Sequence, residues 1–185
     1  MEQNTLKKGI WDSAAKAGLI FGAISSAYMF ATQFMASCEM SSFAQMAVTA
    51  VLWIAKFVGC IWLMMFFMKK FVAENQDAVN SDTFRFGVVT ALLSAFVYAA
   101  FSFANTAYFS ADMIAENMDT VMQAYSQFMD SNTMAQMDKM MTKMPQITFF
   151  SNLIYCFIFG TILSLILSRN IPSKDPFASS KSDEQ

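Results

Sequence analysis

Uncharged apolar runs recur four times along the chain, each about as long as a helix needs to cross a hydrocarbon core about 30 Å thick. The first, 17–38, lies between Lys16 and Glu39, and the second, 46–68, ends at Lys69 and Lys70 and is interrupted only by Lys56. The third, 86–110, follows Arg85 and stops before Asp112, and the fourth, 146–168, lies between Lys143 and Arg169. Because these runs are continuously apolar and do not alternate, spanning strands are excluded, and four transmembrane helices are predicted. The segment 112–143 follows a different rule. Ile114, Met118, Val121, Met122, Tyr125, Phe128 and Met129 fall at helical spacing among polar residues, Asp130-Ser131-Asn132-Thr133 reads as a break and cap, and Met134, Met137, Met140, Met141 and Met144 form a second set. Two amphipathic helices are therefore expected, over the outer ends of the bundle or in the headgroup layer. Residues 1–16 read as a polar lead-in that starts a helix at the inner interface, and 69–85 as an inner loop long enough for a short helix. Residues 169–185 read as a disordered cytoplasmic tail. The predicted fold is all-α and integral membrane, one four-span domain over 1–168.

Composition sharpens this. Hydrophobic residues make up 56% of the 185 and charged residues 14%, whereas a typical soluble domain carries about a quarter charged residues. A soluble globular enzyme is excluded, and with 12 Lys+Arg against 14 Asp+Glu no basic surface exists to hold nucleic-acid phosphates. The lipid bilayer is the one partner that composition requires. Placing the N-terminus inside puts nine basic residues, from Lys7 to Lys181, on the cytoplasmic side, and leaves only Lys139 and Lys143 outside. By the positive-inside rule both termini are expected on the cytoplasmic side of the membrane.

Candidate chemistry is sparse. The chain has no histidine, so Ser-His-Asp catalysis and histidine-ligated metal sites are absent, and no pair of aspartates lies within the spans. No enzymatic activity and no cofactor is expected. Lys56 is the single ionisable residue deep inside a span, about 18 Å of helical rise from the inner boundary and about 10 Å below the outer one. Such a charge marks a functional site unless it snorkels or is satisfied structurally. Asn105, Asn152, Glu39 and Asp112 are the groups that could partner it. Met134, Met137, Met140, Met141 and Met144 have thioether spacing compatible with Cu(I), and equally form an adaptable packing stripe. Cys38, Cys60 and Cys156 read as small hydrophobes with no paired spacing. Small residues recur every fourth position at Gly18, Gly22 and Ser26, at Ala91, Ala95 and Ala99, and at Gly160 and Ser164. These stripes allow close helix approach, within the chain or between copies.

The sequence LKKGIWDSAAKAGLIFGA entering the first span, SDTFRFG before the third, the amphipathic segment before the fourth, and the ending FGTILSLILSRNIPSKDPF carry a likeness. Through them the whole chain resembles the four-helix inner-membrane proteins of Bacteroidota classed as a domain of unknown function. That resemblance implies a four-span layout in the cytoplasmic membrane and no particular activity. Three functional readings stand beside it. The first is a non-enzymatic structural or accessory subunit that binds another envelope protein or a second copy of itself, the second a small transporter or channel using Lys56, and the third an outer-face Cu(I) binder.

Overall fold

The computed structural model describes residues 2–36, 38, 41–75, 78–125 and 130–171. Among them every regular element is helical. The order is α1 (Glu2–Ala36), α2 (Ser42–Glu74), α3 (Asn80–Ala104), a π-helical turn (Asn105–Phe109), α4 (Ala111–Tyr125), α5 (Ser131–Thr142) and α6 (Met144–Asn170). Four helical stretches are long and apolar enough to cross a membrane: Gly9–Met35, Ser42–Glu74, Asn80–Phe109 and Met144–Asn170.

The helices overrun the apolar windows because a hydrogen-bond ladder ends where a cap stops it, not where lipid stops. The polar lead-in and the first span form one helix without a turn between them. The inner loop carries no helix of its own, since α2 continues past Lys70 to Glu74 and α3 begins at Asn80. Asn75 closes α2, its backbone N–H donating to the carbonyls of Phe71 and Val72 and its Nδ2 donating to Phe71 O at 2.9 Å. Asp82 accepts from the Val79 N–H at 3.3 Å and so starts α3. Lys143, at φ −99° and ψ 1°, breaks the chain between α5 and α6, and Pro145 fits the first turn of α6, where its missing N–H is no loss. Glu39, Phe128, Met129 and most of the predicted tail, 172–185, lie outside the described residues.

Helix α3 is the centre of the bundle, packed along α6 on one side and along α1 on another. Both approaches run over small residues. A Cβ at Gly18 would lie 2.7 Å from Leu93 Cβ and 3.2 Å from the Thr90 carbonyl, and one at Gly22 would lie 2.5 Å from Val97 Cβ. On the other side a Cβ at Gly160 would sit 2.6 Å from Ala91 Cβ, and Gly87 faces Ser164 in the same manner. Ala91, Ala95 and Ala99 are buried on this face. Ser26 and Ser164 bend their hydroxyls back onto Gly22 O (2.8 Å) and Gly160 O (2.7 Å), which leaves a small, satisfied surface.

Helix α2 packs differently. It touches the other three helices mainly at its inner end, through large side chains. There Phe71 stacks on Phe86 at 4.8 Å and 10°, and Met64 and Met68 are buried beside them with Ala14 and Ala17 of α1 and Leu167 of α6. This is the core of the protein, and it lies at the end of the bundle marked by Lys16, Lys69, Arg85 and Arg169.

Helices α4 and α5 match the two amphipathic helices expected. α4 packs against the π-turn and α5 against α6, and α4 has no buried residue. Their apolar stripes, half-buried at Ile114, Met118 and Met122 of α4 and at Met134, Met137 and Met141 of α5, are thus covered only in part. The Thr133 side chain and the Thr133 N–H, the latter at 3.0 Å, hydrogen-bond the Asp130 carboxylate that caps α5, and they hold its pKa below the ordinary carboxylate value.

Two outcomes are expected. Gly22→Ala should destabilise the protein in detergent by about 1–3 kcal/mol through overpacking, while Gly59→Ala, where a Cβ meets nothing within 4 Å, should gain about 0.5–1 kcal/mol of helix propensity; thermal unfolding of the two variants checks this. The Asp130 cap contributes above the unfolded-state carboxylate pKa and is lost as pH falls through the lowered folded-state value. Protection of the amides at 131–134, relative to their intrinsic exchange rates, should therefore fall in acid, and Asp130→Ala should show low protection at every pH.

Candidate functional site

Counting along each helix from its basic inner end places one residue of every helix at a common height. Tyr28 is twelve positions from Lys16, Lys56 thirteen from Lys69, Tyr98 thirteen from Arg85 and Cys156 thirteen from Arg169, which is about 18–20 Å of rise in each case. The structure brings these four together. Lys56 Nζ lies 4.6 Å from the centroid of the Tyr28 ring and 5.4 Å from that of Tyr98, and Cys156 shares the same cavity wall.

The cavity holds about 200 Å³ and is lined by all four long helices. It exists because α2 stands away from the α1–α3–α6 layer above the inner core. One wall carries the hydroxyls of Ser25, Thr90 and Ser94, and the facing wall carries Cys60, Cys156 and Leu163. From the height of Lys56 down to that of Thr90, five positions above Arg85, the slot runs inward for about 12 Å. Its lining ends toward the basic end at Phe21, Met64, Thr90 and Leu163, and the stacked, buried Phe71 and Phe86 rings lie in the core beyond them. The mouth lies between α2 and α6. There Phe57 and Phe159 meet at 5.9 Å, and Trp53 and Tyr155 line the cavity while remaining 57% and 70% exposed on the surface that would face lipid.

Lys56 has no carboxylate within ion-pair distance among the described residues, where the two ion pairs, Lys70–Glu74 at 3.8 Å and Arg85–Asp82 at 3.9 Å, lie at the inner end. Its sequence-proposed partners are elsewhere. Asn152 Nδ2 donates to Ser102 Oγ at 2.7 Å and ties α6 to α3. Asn105 belongs to the π-turn and its Oδ1 is buried without a partner, Asp112 is exposed at the start of α4, and Glu39 is outside the described residues. Two tyrosine faces offset part of the cost of an ammonium in hydrocarbon, about 0.5–1 kcal/mol each at this half-exposed site, against a burial penalty of about 2.5–3.5 kcal/mol or above. On the slot wall Thr90 Oγ1 is buried with no hydrogen-bond partner.

Sequence reasoning had singled out Lys56 and missed the tyrosines. The signal was present, in the equal distances from the basic ends, but it needs the assumption that those ends are level. Cys60 and Cys156 have no paired spacing along the chain, yet both line the cavity. The methionines are arranged as a row: Met134, Met137 and Met141 share the half-buried face of α5, Met140 is 60% exposed and Met144 opens α6. Met134 and Met141 are thereby about 10 Å apart along one helix. No group of three His, Cys, Asp or Glu side chains able to hold a metal occurs among the described residues.

A family model described as "Protein of unknown function (DUF4199)" matches residues 16–169. The chain belongs to this family. The match begins at Lys16 and ends at Arg169, so in this DUF4199 protein it takes in all four long helices and the whole cavity. Neither the curated proteins nor the solved structures contain a match to the chain.

Removing a charge from hydrocarbon removes its solvation penalty, and the vacated space is lined by aromatic rings that accept an apolar side chain. Lys56→Met is accordingly expected to be at least as heat-stable in detergent as the wild type. A clear loss of stability would show Lys56 to be a structural tie between α2 and the tyrosines.

Proposed function

We propose that this DUF4199 protein is a non-enzymatic, multi-pass protein of the cytoplasmic membrane that binds a ligand in the Lys56 cavity. The observation that carries this reading is an ammonium, held over Tyr28 and Tyr98, in a cavity between four helices and with no carboxylate partner among the described residues. A charge kept where it costs stability is kept for a task. Of the transporter and channel readings, the packed core at Phe71 and Phe86 beyond the cavity favours a binding protein or carrier over an open pore. The excess of basic residues at the inner ends supports an orientation with both termini cytoplasmic. The likeness to inner-membrane proteins of Bacteroidota agrees with that location.

The accessory-subunit reading keeps one observation in its favour. The apolar faces of α4 and α5 are covered only in part by the rest of the protein, a surface suited to another envelope protein or a second copy.

The two readings separate in one experiment. The full chain is extracted from its own membrane in a mild detergent and sprayed intact into a mass spectrometer. The expected result is a bound small molecule on the wild type that is absent from Lys56→Met of equal stability. Equal occupancy in both, or a stoichiometric protein partner and no small molecule, would overturn the cavity reading.

A further inference from the structure

The cavity has a polarity as well as a charge. Its one cation is at the outer end, about 10 Å below the outer edge of a hydrocarbon core about 30 Å thick, and the slot runs from there inward for about 12 Å, through the bilayer midplane. Phe21, Met64 and Leu163 line its deeper part. The charge thus lies at one end and apolar surface at the other, the order of groups in an amphiphile whose head points to the outer side. A slot about 12 Å long that holds about 200 Å³ takes one chain of about eight carbons. Its entrance between α2 and α6, edged by the exposed Trp53 and Tyr155, faces lipid and not the aqueous phase.

We infer that the Lys56 cavity takes a monoanionic, single-chain amphiphile from the bilayer, a medium-chain fatty acid of about eight carbons, with its carboxylate at Lys56 and its chain along the slot. The inference rests on the binding reading above and names its ligand. One ammonium balances one negative charge, and the match would leave no net charge in hydrocarbon; a phosphate monoester would bring a second charge with no partner. Ser25 and Ser94 lie about one turn inward of Tyr28 and Tyr98 on the cavity wall, within reach of the carboxylate as further donors. An acid that enters sideways never has to cross the headgroup layer or the aromatic core.

The test uses the full chain in nanodiscs of phosphatidylcholine, with octanoic acid as the probe and octanol, butyrate and phosphatidylglycerol as competitors. Octanoate is expected to bind about tenfold or more tightly than the alcohol, a gap of about 1.4 kcal/mol per decade. Lys56→Met should erase that preference and Lys56→Arg should retain it. Butyrate and phosphatidylglycerol should compete poorly. Equal binding of acid and alcohol by the wild type would overturn the inference without any variant having to fold. So would butyrate matching octanoate or phosphatidylglycerol displacing it. In any of these cases a different ligand whose retention depends on Lys56 leaves the binding reading standing; if no probe and no co-purified molecule depends on Lys56, both fall.

Discussion

Helices in a bilayer gain nothing from hiding apolar surface from lipid, so contact between them is decided by how closely their backbones can come. In this protein that contact is uneven. Gly18 and Gly22 let α1 settle onto α3, and Gly87, Ala91 and Gly160 let α6 settle onto its other side, so three helices make a tight layer. α2 offers Phe67, Phe71 and Trp53 where its neighbours offer glycine, and rings cannot close to the same distance. It meets the layer at the inner end, where Phe67 lies 6.1 Å from Phe21 and Phe71 stacks on Phe86, and stands off above. The cavity is the space left by that mismatch in side-chain size.

The same mismatch explains how a lysine survives in the second span. In the tight layer there would be no room for its side chain and no face on which to rest an ammonium. On α2 it reaches across the gap to rings from α1 and α3, which solvate it in part without neutralising it. Thr90, on the same gap, shows the residue of this compromise as a buried hydroxyl with unused hydrogen-bonding capacity. The outer part of the molecule is thus less self-sufficient than the inner part. Stability is concentrated at the basic end, and unmet polar demand lies above it.

The number and order of long helices were legible in the apolar runs, as were the break and cap at Asp130, because both depend only on local sequence. Helix ends were not: Asn75 and Asp82 terminate and start their helices through bonds that hydropathy does not register, and the lead-in before Lys16 gave no sign that it continues α1 without a bend. Small residues at Gly18, Gly22 and Gly160 were recognisable as contact points, but which helix each would meet depends on the placement of α3 at the centre. Lys56 stood out as a charge where none belongs. Its company of Tyr28, Tyr98, Cys60 and Cys156 was hidden because it arises from the relative height and rotation of four separate helices, a property that no single segment encodes.

The π-helical turn carries a consequence for how the outer hairpin is aimed. In Asn105–Phe109 the ladder steps to the fifth residue, with the Ser110 N–H donating to Asn105 O at 2.8 Å, and so accommodates one residue more than the α-helix on either side of it. That extra residue sets the azimuth of everything downstream. Deleting one residue between 105 and 109 would return the ladder to α-helical register and would turn Ser110 and α4 by about 100° about the axis of α3. Ser110 would then swing away from Gln33, whose Nε2 donates to it at 2.6 Å. α4, with Ile114, Met118 and Met122 on its apolar face, would leave the bundle in a different direction, while the four long helices kept their packing.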